Sequence, residues 1–315
     1  MAKNSKKLQK EIFSAEFNKF CRKNIQAPMR ELEKTRHNYI FAICCVIIIL
    51  AIFAVIILTS AYISESLNSD IIQILFAIIA GGIFCCTTIA KKYKTSAKEI
   101  ILPQLLSYIG EFKILDKNNV SNYLTSYLHG LDLIPTFNTS SFDDCLHGTY
   151  NGVELGISET ELTYVTGSGK NRRSRTVFKG LFVCFKSFKK FQYRTIIKKE
   201  TAFCITGREK VSLEDPEFES LYNVISDDQI EARYLITPAF MNRMVELNKK
   251  GIGRMMTVSF EEDNVNIAIS SSKDWFEIPL FKPATNIANY RAIILELISI
   301  FSIIDTLKFD QNIGA

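Results

Sequence analysis

The densest group of side chains that could do acid–base chemistry lies in a short stretch of the second half of the chain. It comprises four carboxylates and one guanidinium, Glu214, Asp215, Asp228, Glu231 and Arg233. Paired carboxylates can act as general acid and base, or they can bind a divalent cation. The same residues also have a structural interpretation, in which Asp215 caps a helix beginning at Pro216, and Asp228 or Glu231 pairs with Arg233. Both interpretations stay open from the sequence.

A second candidate site is a basic, glycine-rich segment, residues 167–175. Its cationic side chains are Lys170, Arg172, Arg173 and Arg175. The string GSGK invites a phosphate-loop interpretation, but Tyr164 stands where that motif needs its first glycine and Asn171 where it needs Ser or Thr. We therefore predict a β-hairpin tip, which is either simply solvated or contacts lipid phosphate or an acidic partner.

Groups for nucleophilic or metal-dependent catalysis are scarce. The chain has three histidines and eight cysteines, without a Gly-x-Ser-x-Gly or Cys-x-x-Cys motif. Cys145 and His147 are two residues apart, which gives only a two-ligand fragment of a metal site. We expect no cofactor and no metal. The residues leave open whether the protein is an enzyme, and the shortage of catalytic groups favours a non-enzymatic role.

Two long apolar runs precede these candidate sites in the chain. They determine on which side of a membrane the candidate sites lie. Residues 39–63 and 71–90 contain no charged side chain, and a short polar segment joins them. A bilayer core about 30 Å thick needs about 20 apolar helical residues, because each adds about 1.5 Å. Lipid offers no hydrogen-bond partners, so such runs must form helices. The sequence predicts a two-helix transmembrane hairpin.

The distribution of charge predicts the orientation of this hairpin. Residues 1–38 carry ten lysines and arginines, and four lysines follow the second run within residues 91–98. The joining segment, residues 64–70, carries only Glu65 and Asp70 as charged side chains. Basic residues flank membrane spans on the cytoplasmic side, so both termini are expected in the cytoplasm. The remaining chain is mildly acidic although the formal net charge is +5. We therefore expect the lipid bilayer, and no nucleic acid, as a partner.

Periodicity divides the rest of the chain. Residues 1–38 form amphipathic helices with a break at Ala27-Pro28; the first helix either lies among lipid headgroups or packs on the folded domain. Residues 91–115 form a helical stalk, and residues 116–315 a cytosolic domain. In that domain Asn151-Gly152 predicts a tight β-hairpin. The predicted fold is thus α+β, with the transmembrane hairpin followed by an antiparallel-sheet domain with packed helices.

Four further elements are predicted inside this domain. Residues 255–260 and 265–270 form a hairpin around the acidic turn 261–264. Residues 275–281 form a strand. Ser226 and Gln229 form a capping box at the start of a helix. The C-terminal helix, residues 284–309, is a buried core helix rather than a third span, because it carries Glu296 and Asp305.

Four strings of residues resemble a known family. They are residues 144–150 (DCLHGTY), 177–182 (VFKGLF), 211–218 (VSLEDPEF) and 226–238 (SDDQIEARYLITP). With the paired apolar runs before them, they are similar to the bacterial membrane family catalogued as domain of unknown function 3137, over residues 90–310. The resemblance implies a bacterial inner-membrane protein with a cytosolic α+β domain. It supplies no activity and no catalytic residues, and it points to a LemA-type membrane protein as partner.

These observations favour a membrane-anchored, non-enzymatic binding or scaffolding protein. Its cytosolic domain would recruit a protein partner or contact inner-leaflet lipid. The alternative is a hydrolase or metal-dependent enzyme that uses Glu214, Asp228 and Glu231. That alternative requires the three carboxylates to converge on one pocket, and it fails if each is tied to backbone N–H groups.

Overall fold

The chain combines long helices with one antiparallel sheet, which confirms the predicted α+β class. The structure is a computed structural model that describes residues 13, 15–63, 69–199, 209–249 and 256–307. It divides into two compact units. The helical unit comprises Met1–Tyr108 and Phe276–Leu295, and the sheet unit comprises Ile109–Trp275 and Glu296–Ala315. The predicted boundaries at residues 38, 90 and 115 follow membrane topology and stay predictions.

Two helices dominate the helical unit. Helix α1 spans Gln26–Ile63 and helix α2 spans Ser69–Ile109. With 38 and 41 residues they are about 57 and 61 Å long at about 1.5 Å per residue. Each is therefore about twice as long as a bilayer core is thick. The joining segment that was predicted as a polar turn lies largely outside the described residues.

Neither proline near the apolar runs interrupts a helix, so the predicted break at Ala27-Pro28 is wrong. A π-helical turn at Cys21–Ile25 precedes α1, and the helix then continues through Pro28. The π-helical turn is wider than an α-helical one and leaves room for the proline ring. Pro103 likewise lies inside α2. The stalk predicted over residues 91–115 is helical only as far as Ile109, and a strand begins at Phe112.

Helices α1 and α2 pack against each other in antiparallel directions. The rings of Tyr39 and Tyr93 lie 5.7 Å apart. Further along both helices, the side chain of Leu50 lies against Gly82, where a Cβ atom would collide with it. The contacts thus advance along α1 while they recede along α2.

One seven-stranded antiparallel sheet forms the sheet unit. The strand order is β1-β2-β3-β4-β6-β5, and β7 also pairs with β4. The strands are β1 (Phe112–Ile114), β2 (Thr139–Tyr150), β3 (Val153–Thr166), β4 (Arg173–Lys199), β5 (Glu209–Val211), β6 (Tyr222–Ser226) and β7 (Met256–Ser270). The helices of this part of the chain are α3 (Lys117–Gly130), α4 (Pro216–Leu221), α5 (Gln229–Leu235), α6 (Pro238–Lys249) and α7 (Ile287–Leu307).

Strand β4 is the centre of this sheet. Its 27 residues pair with β3 and then with β6 along one edge, and with β7 along the other. The turn between β2 and β3 is the predicted hairpin: Asn151 and Gly152 both have positive φ, at 49° and 80°. Positive φ at both central residues is the geometry that matches the twist of the two strands.

Two predicted elements are corrected here. The acidic residues 261–264 do not form a turn, because β7 runs through them as one strand. They lie beside an irregular part of β4, where Arg194 pairs with Glu261 and Asp132 and thereby compensates their charge. Residues 275–281 are not a strand. There the carbonyl of Leu280 accepts a hydrogen bond from Arg36 Nη1 at 3.2 Å, so a side chain replaces a strand partner.

Both faces of the sheet carry buried apolar side chains. Helix α3 covers one face with a cluster that includes Leu128, Leu162, Phe178 and Phe182. Within the sheet unit, Phe301 of α7 stacks on the ring of Tyr150 at 4.3 Å. The two acidic residues of α7 have partners in the same unit: Glu296 pairs with Lys273 at 2.5 Å, and Asp305 accepts a hydrogen bond from the Tyr150 hydroxyl at 2.9 Å. These contacts support the predicted core helix.

Candidate functional site

The most extensive unusual surface of the described chain is the apolar exterior of α1 and α2. Within residues 39–63 and 71–90, large apolar side chains point outward, and Phe41, Phe76 and Phe84 are 71, 75 and 72% exposed. By length and composition, three described helices are apolar enough to cross a membrane, namely these two and α7. Exposed patches larger than a few hundred Å² mark an interaction surface, and here the surface consists almost wholly of hydrocarbon.

The same two helices bury apolar side chains before the first run and after the second. Leu32 of α1 and Ile101 and Leu105 of α2 are completely buried. Charged groups are buried there too, because they are paired: Glu33 accepts hydrogen bonds from Arg36 Nε at 3.0 Å and from Nη2 at 2.6 Å. The Arg36 guanidinium holds the pKa of Glu33 below its usual value. The strongly exposed large apolar side chains of α1 and α2 all lie inside the uncharged runs, although Ile43 near the start of the first run is buried.

The segment Phe276–Leu295 contributes the partners of these buried charges within the helical unit. Glu277 pairs with Lys94 at 2.7 Å and with Lys98 at 3.5 Å. Glu33 also accepts the backbone N–H of Ala284. Part of the basic flank that was predicted beside the second span therefore holds this segment.

The predicted carboxylate cluster is distributed among structural roles. Asp215 caps α4 by accepting the N–H groups of Glu217 and Phe218 at 2.9 and 3.1 Å. Asp228 caps α5 by accepting the N–H of Glu231 at 2.7 Å. The N-cap of this helix is thus Asp228, and the predicted capping box at Ser226 and Gln229 is wrong.

Glu231 binds the backbone of β4. Its two carboxylate oxygens accept the N–H groups of Gln192 and Tyr193, each at 2.9 Å. These N–H groups belong to the irregular part of β4, where regular pairing is interrupted. Glu214 and Arg233 are exposed, and among the described residues Arg233 forms no ion pair with Asp228 or Glu231. The contacts account for Asp215, Asp228 and Glu231 without a substrate or a cation.

The predicted basic tip is a hairpin end, with a short 3₁₀ turn at Gly169–Asn171 between β3 and β4. The strands continue almost to the tip, since Thr166 pairs with Arg173 and Tyr164 with Arg175. All four basic side chains are exposed: Lys170, Arg172, Arg173 and Arg175. The end of the β3–β4 hairpin therefore carries four exposed cations, and paired strands hold it in place.

Three other carboxylates come close together at a β-bulge. Oxygen atoms of Asp143, Asp144 and Glu159 lie within 4.8 Å of one another. The Lys117 ammonium pairs with Asp143 at 3.3 Å, and the N–H of Trp275 reaches Glu159 at 3.4 Å. These contacts neutralise part of the charge of the cluster.

A cavity of about 330 Å³ lies between α3 and the sheet, a feature that the sequence analysis did not predict. Tyr127 of α3, Gly156 of β3 and Cys184 of β4 line it. Two signals could have pointed to it. Tyr123 and Tyr127 are four residues apart on one face of a helix, and Gly156 interrupts an otherwise regular strand, where glycine often marks a close approach.

Comparison with known proteins identifies part of the chain. A family model described as "Protein of unknown function (DUF3137)" matches residues 176–309. The predicted family is confirmed over this segment. This matched segment, residues 176–309, contains three of the four strings that resemble the family. The fourth string, residues 144–150, precedes the segment. The segment begins near the start of β4 and includes β7 and α7.

The remaining comparisons add little. No curated protein matches the chain. Among solved structures, the mycobacterial trehalose monomycolate transport factor A, TtfA, is similar at 8% sequence identity with a TM-score of 0.33, over 63% of this chain and 90% of that chain. A TM-score this low supports no conclusion about fold or function.

Proposed function

We propose that this protein is a membrane-anchored binding protein without catalytic activity. Helices α1 and α2 cross the bilayer at residues 39–63 and 71–90, and both chain ends lie on the cytoplasmic side of a bacterial inner membrane. The sheet unit then works in the cytosol, where it recruits a partner.

The exposure of apolar side chains along α1 and α2 carries this proposal. Most large apolar side chains of both helices are exposed inside the uncharged runs, whereas Leu32, Ile101 and Leu105 outside them are buried. In water such a surface would cost free energy in proportion to its area, about 25 cal/mol per Å². A bilayer removes that cost, and its thickness matches the runs rather than the whole helices. The basic residues outside both runs favour cytoplasmic ends.

The basic tip is the proposed contact for the partner. Its four exposed cations favour an anionic surface, which is either an acidic protein or lipid phosphate. A LemA-type membrane protein, to which the family resemblance points, is the first protein to test. The capping and backbone-binding roles of Asp215, Asp228 and Glu231 leave the enzymatic alternative without a specific observation in its favour.

Reporter fusions test the topology directly. A reporter that is active only in the cytoplasm is fused after Ala315, and a second copy is inserted at Asn68. We expect activity from the fusion at Ala315 and none from the insertion at Asn68. Activity from both positions, or release of the chain from membranes by alkaline washing, would contradict membrane anchoring.

Crosslinking in native membranes tests the partner contact. The variant Arg173→Glu with Arg175→Glu reverses charge at the tip, and Lys113→Glu with Lys190→Glu reverses the same number of exposed charges elsewhere. Loss of a crosslinked protein from the tip variant alone supports a protein partner. Loss of binding to anionic vesicles alone supports lipid. Unchanged behaviour in both assays refutes the tip as the contact.

A further inference from the structure

The cavity between α3 and the sheet has the size and lining of a ligand site. At about 330 Å³ it lies at the lower end of the range of small-molecule pockets, about 300–1,000 Å³. One wall is the inner face of α3, with Val120, Leu124 and Tyr127 at helical spacing. The opposite wall is the face of β3 and β4 that carries Gly156 and Cys184. All of these residues belong to the sheet unit.

The space in this cavity exists because a side chain is missing. Gly156 pairs with Cys184 in the sheet and lies on the cavity wall. A Cβ atom built on Gly156 would meet only the carbonyl oxygen of Leu146 within 4 Å, at 3.8 Å. The backbone of Gly156 does not have the positive φ that would require glycine. Neither sterics nor backbone conformation therefore explains the glycine, whereas an occupant of the cavity would.

The polar groups inside the cavity are neutral. The Tyr127 hydroxyl donates to Asn266 Oδ1 at 2.9 Å and lies 3.5 Å from Cys184 Sγ. The Cys145 thiol lies 3.6 Å from the Ser158 hydroxyl. Burial raises the pKa of the Cys184 and Cys145 thiols and of the Tyr127 phenol, so all three stay protonated at neutral pH.

The charged residues that line the cavity are exposed. Glu154 pairs with His147 at 3.1 Å, and Lys186 lies 4.0 Å from Asp263. A charged group deep in the cavity would lose its hydration without gaining an ion partner, which is unfavourable. The lining therefore selects against a charged occupant and for an apolar one.

We propose that this cavity binds a small uncharged molecule that consists mainly of hydrocarbon. The molecule lies between Leu124 of α3 and Phe182 of β4, above Gly156, and it has the Tyr127 hydroxyl as a hydrogen-bond partner. This site is separate from the basic tip and does not depend on the proposed membrane anchoring.

Photoaffinity labelling of the full-length protein in phospholipid nanodiscs tests the proposal. The probe is a diazirine-substituted decanol, and mass spectrometry maps the labelled peptides. We expect label on peptides from α3, β3 and β4, in addition to label on α1 and α2 from probe dissolved in the bilayer. Unlabelled decanol should compete for the cavity label, whereas the cation decyltrimethylammonium should not.

A cavity-filling variant with a matched control makes the test specific. Gly156→Leu places a side chain in the space and should reduce the cavity label about tenfold, a loss of about 1.4 kcal/mol of binding free energy. Gly130→Leu makes the same change at an exposed glycine that has no atom near its Cβ position, and it should leave the label unchanged. Label on α1 and α2 should be equal in all samples and serves as the internal reference.

Several outcomes would overturn the inference. They are an unlabelled cavity in the unmodified protein, equal cavity label in Gly156→Leu, and equal competition by the cation. If Gly156→Leu lowers the thermal midpoint, Val120→Trp fills the same space from the α3 wall and must reduce the label instead. Equal cavity label in this folded second variant would also refute the site.

Discussion

Three carboxylates of the sheet unit accept hydrogen bonds from backbone N–H groups. Asp215 and Asp228 each accept N–H groups at the start of a helix, and Glu231 accepts two from β4. Orphan N–H groups at a helix start need an acceptor, and a short acidic side chain supplies one with favourable charge. This physical demand explains why acidic residues stand at Asp215 and Asp228.

Substitution of Asp215 distinguishes a cap from an acid–base or metal-binding group. Asp215→Ala should destabilise the protein by about 1 kcal/mol, whereas Asp215→Asn should be nearly neutral because asparagine caps equally well. Thermal unfolding of the purified full-length chain measures both changes. Glu214→Ala, at the exposed neighbouring position, is the control and should leave the midpoint unchanged. Equal losses in Asp215→Asn and Asp215→Ala would show that the charge matters beyond capping.

The sequence predicted the residue-scale features that depend on near neighbours. Asp215 before Pro216, and Asn151 before Gly152, define a cap and a turn within four residues, and the structure contains both. The cap at Asp228 was missed because Ser226 and Gln229 fit the capping-box pattern equally well. The contact of Glu231 with Gln192 could not be predicted, since it joins residues 39 positions apart.

At the scale of elements, the segment Phe276–Leu295 is held to α1 by a buried hydrogen-bond network. Glu33 is its centre, since it accepts hydrogen bonds from Arg36 and from the N–H of Ala284. Arg36 in turn donates to the carbonyl of Leu280. Charge-assisted hydrogen bonds of this kind contribute more than neutral ones because the donor, the acceptor or both are ionised.

Removing the charge of Glu33 should therefore destabilise the helical unit. Glu33→Gln is expected to cost about 1–3 kcal/mol, because Arg36 keeps a buried charge without its carboxylate. The thermal midpoint of the full-length chain and protease cleavage within Phe276–Leu295 report the loss. Glu31→Gln, two residues earlier on the exposed side of α1, is the control. Equal midpoints for the two variants would contradict the role assigned to Glu33.

The contact between Glu33 and Arg36 makes the difference in stability between the unmodified chain and Glu33→Gln depend on pH. The pKa of Glu33 is lowered in the folded protein, chiefly by its hydrogen bonds with Arg36. The stabilisation is therefore fully present above the unfolded-state pKa of about 4.3, and it is lost as the pH falls through the lower folded-state pKa. The difference between the unmodified chain and Glu33→Gln should shrink below about pH 4.

Elements with distant partners were those that the sequence placed wrongly. Residues 261–263 are acidic and with Asn264 resemble a turn, yet they lie in β7, where Arg194 of β4 pairs with Glu261 and Lys186 of β4 lies near Asp263. Residues 275–281 alternate like a strand, but the carbonyl of Leu280 accepts a hydrogen bond from the side chain of Arg36 instead of from a neighbouring strand. A local sequence pattern records only polarity and periodicity. Whether these two segments form a turn or a strand depends on which distant residues contact them in the folded chain.

At the scale of the whole molecule, membrane insertion can be tested by placing a charge on the apolar exterior of α1. Ile52→Lys places a charge near the middle of the first run, which should cost about 2.5–3.5 kcal/mol of insertion free energy. Tyr62→Lys makes the same change near the end of the run, where a lysine reaches the interface and costs little. Both side chains are exposed in the unmodified protein.

The fraction of newly made chains that resist alkaline extraction measures insertion of these two variants. We expect a clear reduction for Ile52→Lys and almost none for Tyr62→Lys. Equal, complete extraction of both variants and of the unmodified chain would mean that the apolar surface is covered by protein rather than by lipid.

The sequence by itself determined the two apolar helices, the α+β class, the family resemblance of residues 176–309 and the basic tip. Each of these depends on composition or on neighbouring residues, which a linear pattern records completely. Only the tertiary structure decided that the carboxylate cluster separates into caps and a backbone clamp, that β7 is one strand, and that a cavity lies above Gly156. These features depend on packing between residues far apart in the chain. A missing side chain creates space only when the fold places another wall opposite it.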